Sequence, residues 1–207
     1  MLFYTLLFVF QINNFVQVSE IKMSVAEIAE FKQQVQTKSK NIKTITTDFN
    51  QNKKMTFLEN DIASKGRMLL NAQGFLKWQY TEPNKYSIIF KNDKIYINDN
   101  GNKSTANVDQ RLFKKISALI SSSIKGDVFN DTDFAYDYFK KGGDVLVKMS
   151  SKDKTLMKYI KNIELTFPKN DFLVSEVKLI EPSGDFTVIS FKNRKINAPI
   201  ENKEFDH

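Results

Sequence analysis

Apolar and polar residues alternate through four short segments between residues 66 and 99. Trp78, for example, is flanked by the polar residues Lys77 and Gln79. A period of two places one face of a strand in apolar surroundings and the other in water. The interruptions at 71–74, 81–85 and 92–93 contain Asn, Gly or Pro, which favour turns. The pattern therefore predicts four strands in an antiparallel meander.

Helical periodicity replaces this alternation in two places. The sequence Ser24-Val25-Ala26-Glu27 is a capping box, which satisfies free amide groups at a helix start and predicts a helix over residues 24–40. A second amphipathic helix is predicted over residues 110–124, with Gly126 at its end. The apolar face of this second helix carries Phe113, Ile116, Leu119 and Ile120.

The rest of the chain is predicted to be mainly strands and polar connections. Further strands are expected at 42–49, 134–138, 145–149, 163–167, 173–180 and 186–191. The polar stretch 50–60 is predicted as a hairpin or a mobile loop, and 99–108 as a polar loop. The irregular tail is expected to dock through Ile200 and Phe205. Since no repeat or linker interrupts this order, residues 20–207 are predicted to form one mainly β (α+β) domain.

The first residues have a different character. An apolar run from Leu2 to Phe10 is too short to span a bilayer but has the length of the apolar part of a secretory signal. We therefore expect an export signal over residues 1–19. A first strand or a buried helix is the alternative.

Composition excludes several classes of function. The chain has no cysteine and a single histidine, which is its last residue, His207. Disulfides, thiolate metal sites and histidine-based catalysis are therefore not expected. With no phosphate-binding glycine loop and no nucleophile motif either, we predict that the protein is not an enzyme and uses no cofactor.

The formal net charge of +7 comes almost entirely from lysine, because arginine occurs only at 67, 111 and 194. Nucleic-acid sites favour clustered arginine, so we predict no nucleic-acid partner. The lysines are interpreted mainly as a solvated face, and secondarily as an attraction to anionic membrane surfaces.

Aromatic content leaves two interpretations open. The 18 Phe and 7 Tyr residues suit either a solid aromatic core or an apolar cavity. In the same way, the helix at 110–124 is either a plug that completes the core or a lid over a ligand. Periodicity alone does not separate these alternatives.

Three segments carry a resemblance to a known family. They are Ile45-Thr46-Thr47-Asp48-Phe49-Asn50-Gln51-Asn52-Lys53, Ser64-Lys65-Gly66 and Leu76-Lys77-Trp78-Gln79-Tyr80-Thr81-Glu82-Pro83. In order and spacing they resemble the periplasmic outer-membrane lipoprotein carrier (LolA-like) family. The segments 181–187 and 197–205 are also similar to it, so the resemblance covers about residues 25 to 205.

The resemblance implies a strongly curved, incompletely closed antiparallel β-barrel with amphipathic helices covering its concave face. It also implies a monomeric periplasmic carrier of acylated lipoproteins, served by an inner-membrane lipoprotein-releasing ABC transporter and an outer-membrane acceptor, with transient membrane contact. The residues expected to line the lipid cavity are Phe49, Met68, Leu70, Leu76, Trp78, Tyr80, Ile88, Phe90, Ile95, Ile97, Phe113, Ile116, Leu119, Ile120, Val145, Val147, Ile163 and Leu165.

One departure from the family pattern concerns the lid. Members of that family carry an Arg-Pro pair just before the tryptophan strand, whereas Ala72-Gln73 stands there in this chain. We therefore expect a different lid contact. The alternatives on the same fold are a lipid-binding sensor domain or a carrier of another acylated envelope molecule, and a module with a solid aromatic core is the alternative from another class.

Overall fold

The computed structural model of the chain describes residues 19–92, 94–106, 129 and 133–206. The expected export signal lies outside the described residues, apart from residue 19. The predicted helix at 110–124 lies outside them too, and so do four of the expected lining residues, Phe113, Ile116, Leu119 and Ile120.

Twelve strands form one antiparallel sheet in the described part of the chain. In chain order they are β1 (Glu20–Lys22), β2 (Thr44–Lys54), β3 (Ile62–Asn71), β4 (Leu76–Glu82), β5 (Tyr86–Lys91), β6 (Lys94–Asp99), β7 (Asn102–Ala106), β8 (Phe134–Lys141), β9 (Asp144–Ser151), β10 (Asn162–Phe167), β11 (Glu176–Ile180) and β12 (Phe186–Ile196). Two short 3₁₀ helices, Leu156–Lys158 and Asn202–Phe205, complete the regular structure described.

The order of strands across the sheet is β1-β8-β9-β10-β11-β12-β2-β3-β4-β5-β6-β7. Strands β1 and β7 lie at its two edges, so the sheet does not close on itself. The meander β3 to β6 occupies one half, as the alternation predicts. The open, curved, mainly β architecture confirms the predicted fold class.

Helix α1 (Val25–Ser39) begins at the predicted capping box. The Ser24 N–H donates to the Glu27 carboxylate at 2.8 Å, and the Ser24 hydroxyl accepts from the Glu27 N–H at 3.4 Å. The buried residues Phe31 and Val35 face the sheet, while Val25 is exposed. The helix therefore covers part of one face of the sheet, which we call the concave face.

The pKa of Glu27 tests whether its contact with Lys140 on β8 joins the start of α1 to the sheet. A hydrogen bond from the Lys140 ammonium on β8, together with the Ser24 bonds, lowers the pKa of this carboxyl from 4.5 to about 2. Because the folded-state pKa lies below the ordinary one, the ionised carboxylate stabilises the fold above about pH 4.5. This contribution is lost as the pH falls through about 2.

We expect an NMR titration of the Glu27 carboxyl carbon to give a midpoint of about 2. In Lys140→Met the midpoint should move up towards 4.5, because the largest cause of the shift is removed. A midpoint that stays at about 2 in this variant would contradict the role of Lys140.

The hairpin alternative predicted for residues 50–60 is confirmed, because β2 and β3 pair on either side of a turn, whereas the loop predicted at 99–108 is wrong in part. Strand β2 continues through the polar residues 50–54, and strand β7 occupies 102–106 within the predicted loop 99–108. Both segments are held by backbone pairing, β2 between β12 and β3, and β7 along β6. Backbone hydrogen bonds do not need apolar side chains, so these segments lack the alternation that marks the other strands.

The strand expected at 173–180 begins only at Glu176. Phe172 lies just before the expected strand and has a φ of +56°. Extended chain does not adopt this conformation. Strand β12 in turn continues beyond Phe191 to Ile196.

The tail packs on the convex face, as its apolar residues predict. Phe205 is 2% exposed and contacts the buried residues Leu69 and Ile89, which point away from the concave face. The Lys91 ammonium donates to the Phe205 carbonyl at 3.2 Å, and Lys77 pairs with Glu204 at 3.1 Å. The tail therefore covers part of the convex face and not the concave face.

Candidate functional site

The predicted lining residues share one face of the sheet wherever the structure describes them. Directly paired residues of neighbouring antiparallel strands point to the same side. In this register Trp78 pairs with Met68 and Ile88, and Val147 pairs with Leu165. The same parity holds for Phe49, Met68, Leu70, Leu76, Trp78, Tyr80, Ile88, Phe90, Ile95, Ile97, Val145, Val147, Ile163 and Leu165.

One group of residues on the concave face packs around Trp78, the only tryptophan of the chain, and we call it the tryptophan cluster. It consists of Ile45, Phe49, Met68, Leu70, Leu76 and Trp78. The ring of Phe49 lies 4.4 Å from that of Trp78 and 5.3 Å, edge to face, from that of Tyr80. Such aromatic pairs add stability beyond the area that they bury.

A glycine makes this packing possible. Gly66 pairs with Phe49 across β2 and β3, and a Cβ atom at this position would lie 2.5 Å from the Phe49 ring. The absence of a side chain at Gly66 therefore lets the Phe49 ring lie directly over the backbone of β3. This contact determines where Trp78 packs.

A second group joins α1 to the other half of the sheet, and we call it the phenylalanine cluster. Its centre is Phe31, whose ring lies 5.1 Å from Phe167, 5.6 Å from Phe129 and 6.2 Å from Tyr138. The other buried members are Met23, Val35, Phe134, Val147, Met149, Leu156, Ile160, Ile163 and Leu165. The helix thus covers the β8–β10 part of the concave face.

Two polar atoms on this face are buried without a hydrogen-bond partner among the described residues. They are the indole nitrogen of Trp78 and the hydroxyl of Tyr138. Burial raises the pKa of Tyr138 above the ordinary value for tyrosine. An unpaired buried donor costs free energy.

A cavity of about 620 Å³ opens between the second half of α1 and the β3–β4 turn. This volume falls within the range of roughly 300–1,000 Å³ typical of ligand pockets. Leu70, from the predicted set, contributes to it, and Ala72 lies at the position where the resembling family carries arginine. The remaining lining residues are Gln33, Gln36, Thr37, Ser39, Lys40, Ile42, Asn71 and Gly74. The lining of this cavity thus combines apolar residues, such as Ile42 and Leu70, with polar ones.

Several residues of the concave face are absent from the predicted set. Buried examples are Phe31, Ile45, Tyr138, Met149 and Phe167. Four of them continue the period-two alternation of their strands, which is a signal that could have identified them. Phe31 is on the apolar face of α1, but periodicity does not tell which part of the sheet a helix covers.

Within the described residues, no three His, Asp or Glu side chains are grouped so that they could hold a metal ion. In the same part of the chain, no helix has the length and apolar character needed to cross a membrane.

The described part of the chain is thus an open antiparallel sheet whose apolar concave face is partly covered by a helix. The family model described as "Outer membrane lipoprotein carrier protein LolA" matches residues 40–207 of this chain. The chain belongs to this family.

Individual proteins are also similar to this chain. The outer-membrane lipoprotein carrier protein of Francisella tularensis (strain WY96-3418) is 27% identical over 211 residues, covering 93% of this chain and 89% of that protein. The protein of the same name from Francisella philomiragia is 29% identical over 184 residues, with coverages of 82% and 80%. The crystal structure of a LolA superfamily protein from Nitrosomonas europaea aligns over 85% of this chain and 97% of that chain, at 11% identity and a TM-score of 0.45.

Proposed function

We propose that the protein is a periplasmic carrier that shields the acyl chains of lipoproteins against its concave face and moves them from the inner to the outer membrane. The observation that carries this proposal is the continuous apolar face that runs across the sheet from β9 to β6. Membership of a family of lipoprotein carriers supports lipoprotein as the cargo. An inner-membrane lipoprotein-releasing ABC transporter as donor and an outer-membrane acceptor belong to the same proposal.

The energetics fit a carrier better than a permanent binder. Burial of one methylene group yields about 0.8 kcal/mol, so a fully buried acyl chain would contribute on the order of 10 kcal/mol before costs. A carrier has to give its cargo up, and a sheet that stays open along its edges leaves part of each chain in contact with solvent. The cavity beside Leu70 is a further opening, which lies away from the edge strands, between α1 and the β3–β4 turn.

The direct test is purification from the periplasm, followed by mass spectrometry of the bound material. Recovery of triacylated lipoprotein supports the proposal. Recovery of free lipid alone would instead favour a lipid sensor, and another acylated envelope molecule would favour a different cargo. A fluorescent apolar probe that finds no displaceable site would favour a solid core and contradict the carrier function.

A pair of neighbouring substitutions on β6 tests which face binds. Ile97 is half-buried on the concave face, whereas Asn98 lies on the convex face. We expect Ile97→Asp to weaken binding of the apolar probe about tenfold or more, because a carboxylate facing hydrocarbon loses its hydration. Fluorescence titration of the probe measures the change in Kd.

Asn98→Asp is the matched control. It adds the same charge one residue away and keeps the side-chain oxygen that accepts from the Gly101 N–H at 2.8 Å. Binding should remain within about twofold of wild type. Equal losses in both variants, or in neither, would contradict the concave face as the binding surface.

A further inference from the structure

The connection between β2 and β3 exposes a small apolar surface at one end of the sheet. Phe57 is 73% exposed, Leu58 41% and Ile62 45%. We call residues 55–62 the β2–β3 tip. Single exposed apolar residues are common on soluble proteins, whereas Phe57 and Leu58 on this connection and Ile62 at the start of β3 form a group, which is a feature of interaction surfaces.

The tip is held in place by hydrogen bonds. The Leu58 N–H donates to the Met55 carbonyl at 3.0 Å, which closes a turn with Phe57 near its apex. The Thr56 N–H donates at 2.7 Å to the carboxylate of Asp185, a residue that is only 7% exposed. The apolar side chains are thus presented to solvent by an anchored turn.

Lysine residues lie on the two strands that lead to and from the tip. Lys53 and Lys54 end β2, and Lys65 lies on the returning strand β3. Lys53 pairs with Glu181 at 3.0 Å and Lys65 with Glu82 at 2.8 Å. Long lysine side chains can extend to lipid headgroups while the apolar residues enter the layer beneath.

The dimensions of the tip favour a bilayer over a protein as its partner. A stable protein interface buries roughly 800 Å² on each side, which is far more than three side chains on one turn supply. A lipid surface needs no matching shape, and it accepts apolar side chains individually. The carboxylates of Glu59 and Asp61 on the same tip weaken attraction to anionic headgroups, so apolar insertion has to supply most of the binding.

One residue of the tip also lies on the concave face that carries the candidate site. Ile62 pairs with Lys53 in the register in which Gly66 pairs with Phe49, so Ile62 has the parity of the concave face. We propose that the β2–β3 tip inserts into the surface of a phospholipid bilayer and brings this end of the concave face to the lipid. The use of this contact for cargo transfer rests on the proposed function, whereas the membrane contact itself does not.

The absence of cysteine from the chain allows a clean test. Phe57→Cys carries a polarity-sensitive dye at the tip, and Met157→Cys carries the same dye at a residue that is 48% exposed elsewhere. With vesicles of phosphatidylcholine and phosphatidylglycerol, we expect a blue shift of the emission at position 57 and none at 157. No shift at 57, equal shifts at both positions, or a shift with soluble periplasmic protein but not with vesicles would overturn the proposal.

Vesicle flotation with unlabelled protein gives an independent measurement. Phe57→Ser with Leu58→Ser should lower the partition coefficient at least tenfold, whereas Met157→Ser with Tyr159→Ser should leave it within twofold. Equal partitioning of wild type and the tip variant would overturn the inference. The apolar probe titration, run on the same samples, reports the carrier function separately, because the tip variant keeps the residues of both clusters.

Discussion

Replacement of Gly66 by alanine is expected to lower the free energy of unfolding by about 3 kcal/mol. The added Cβ would lie 2.1 Å from the carbonyl oxygen of Gln79 on β4 and 2.5 Å from the ring of Phe49. A ring can rotate, but the Gln79 oxygen belongs to the backbone of a paired strand and has no room to withdraw. Denaturant unfolding followed by circular dichroism measures the change.

Gly101→Ala is the control for this experiment. Its Cβ would meet nothing within 4 Å, but its φ is +97°, so this variant reports backbone strain without a steric clash. We expect a cost of about 1 kcal/mol. If Gly66→Ala cost no more than Gly101→Ala, the close approach of β3, β4 and Phe49 would not be a constraint on the fold.

Phe31→Ala should cost about 4 kcal/mol, which is typical of truncating a buried phenylalanine. Phe31 is 3% exposed, and its ring contacts those of Phe167, Phe129, Tyr138 and Phe172. Its loss removes the main contact between α1 and the sheet. We therefore expect a lower free energy of unfolding together with faster amide exchange along α1.

Val25→Ala on the same helix is the matched control. Val25 is 86% exposed, so its truncation should change the stability by no more than about 0.5 kcal/mol. If Phe31→Ala destabilised the protein while exchange in α1 stayed at the wild-type rate, the helix would be held on the sheet by other contacts.

The fold could be predicted from the sequence wherever side chains carry the signal. The capping box at Ser24 and Glu27 marks the start of α1, and the alternation around Trp78 marks the meander. Strands β1 and β7 have no such signal, because they are short, polar edge strands, and β1 is joined to its neighbours by backbone pairing and by ion pairs of Glu20 and Lys22. A protected or charged edge is also what keeps a sheet from pairing with other chains, so edge strands are the hardest to recognise by apolar alternation.

The candidate site, like the fold, could be predicted only where the side-chain pattern carries the signal. Parity along each strand predicts that Trp78 and Ile88 point the same way as Val147 and Leu165, and the register agrees. Parity does not predict that Phe31 packs on β8–β10, or that a cavity opens beside Leu70, because those features depend on how a helix crosses the sheet. The lining role of the predicted residues stays a prediction.

The pairing of β12 with β2 has a consequence for how the chain matures. These two strands join the halves of the sheet, and across them the Thr47 hydroxyl donates to the Lys192 carbonyl, 145 positions away in the chain. Hairpins such as β3–β4 close over short loops and form quickly, whereas a contact between distant segments forms slowly. In a newly made molecule the apolar concave face therefore stays incomplete until β12 is available to pair with β2. During that interval the molecule escapes aggregation only through rapid folding or binding to a chaperone.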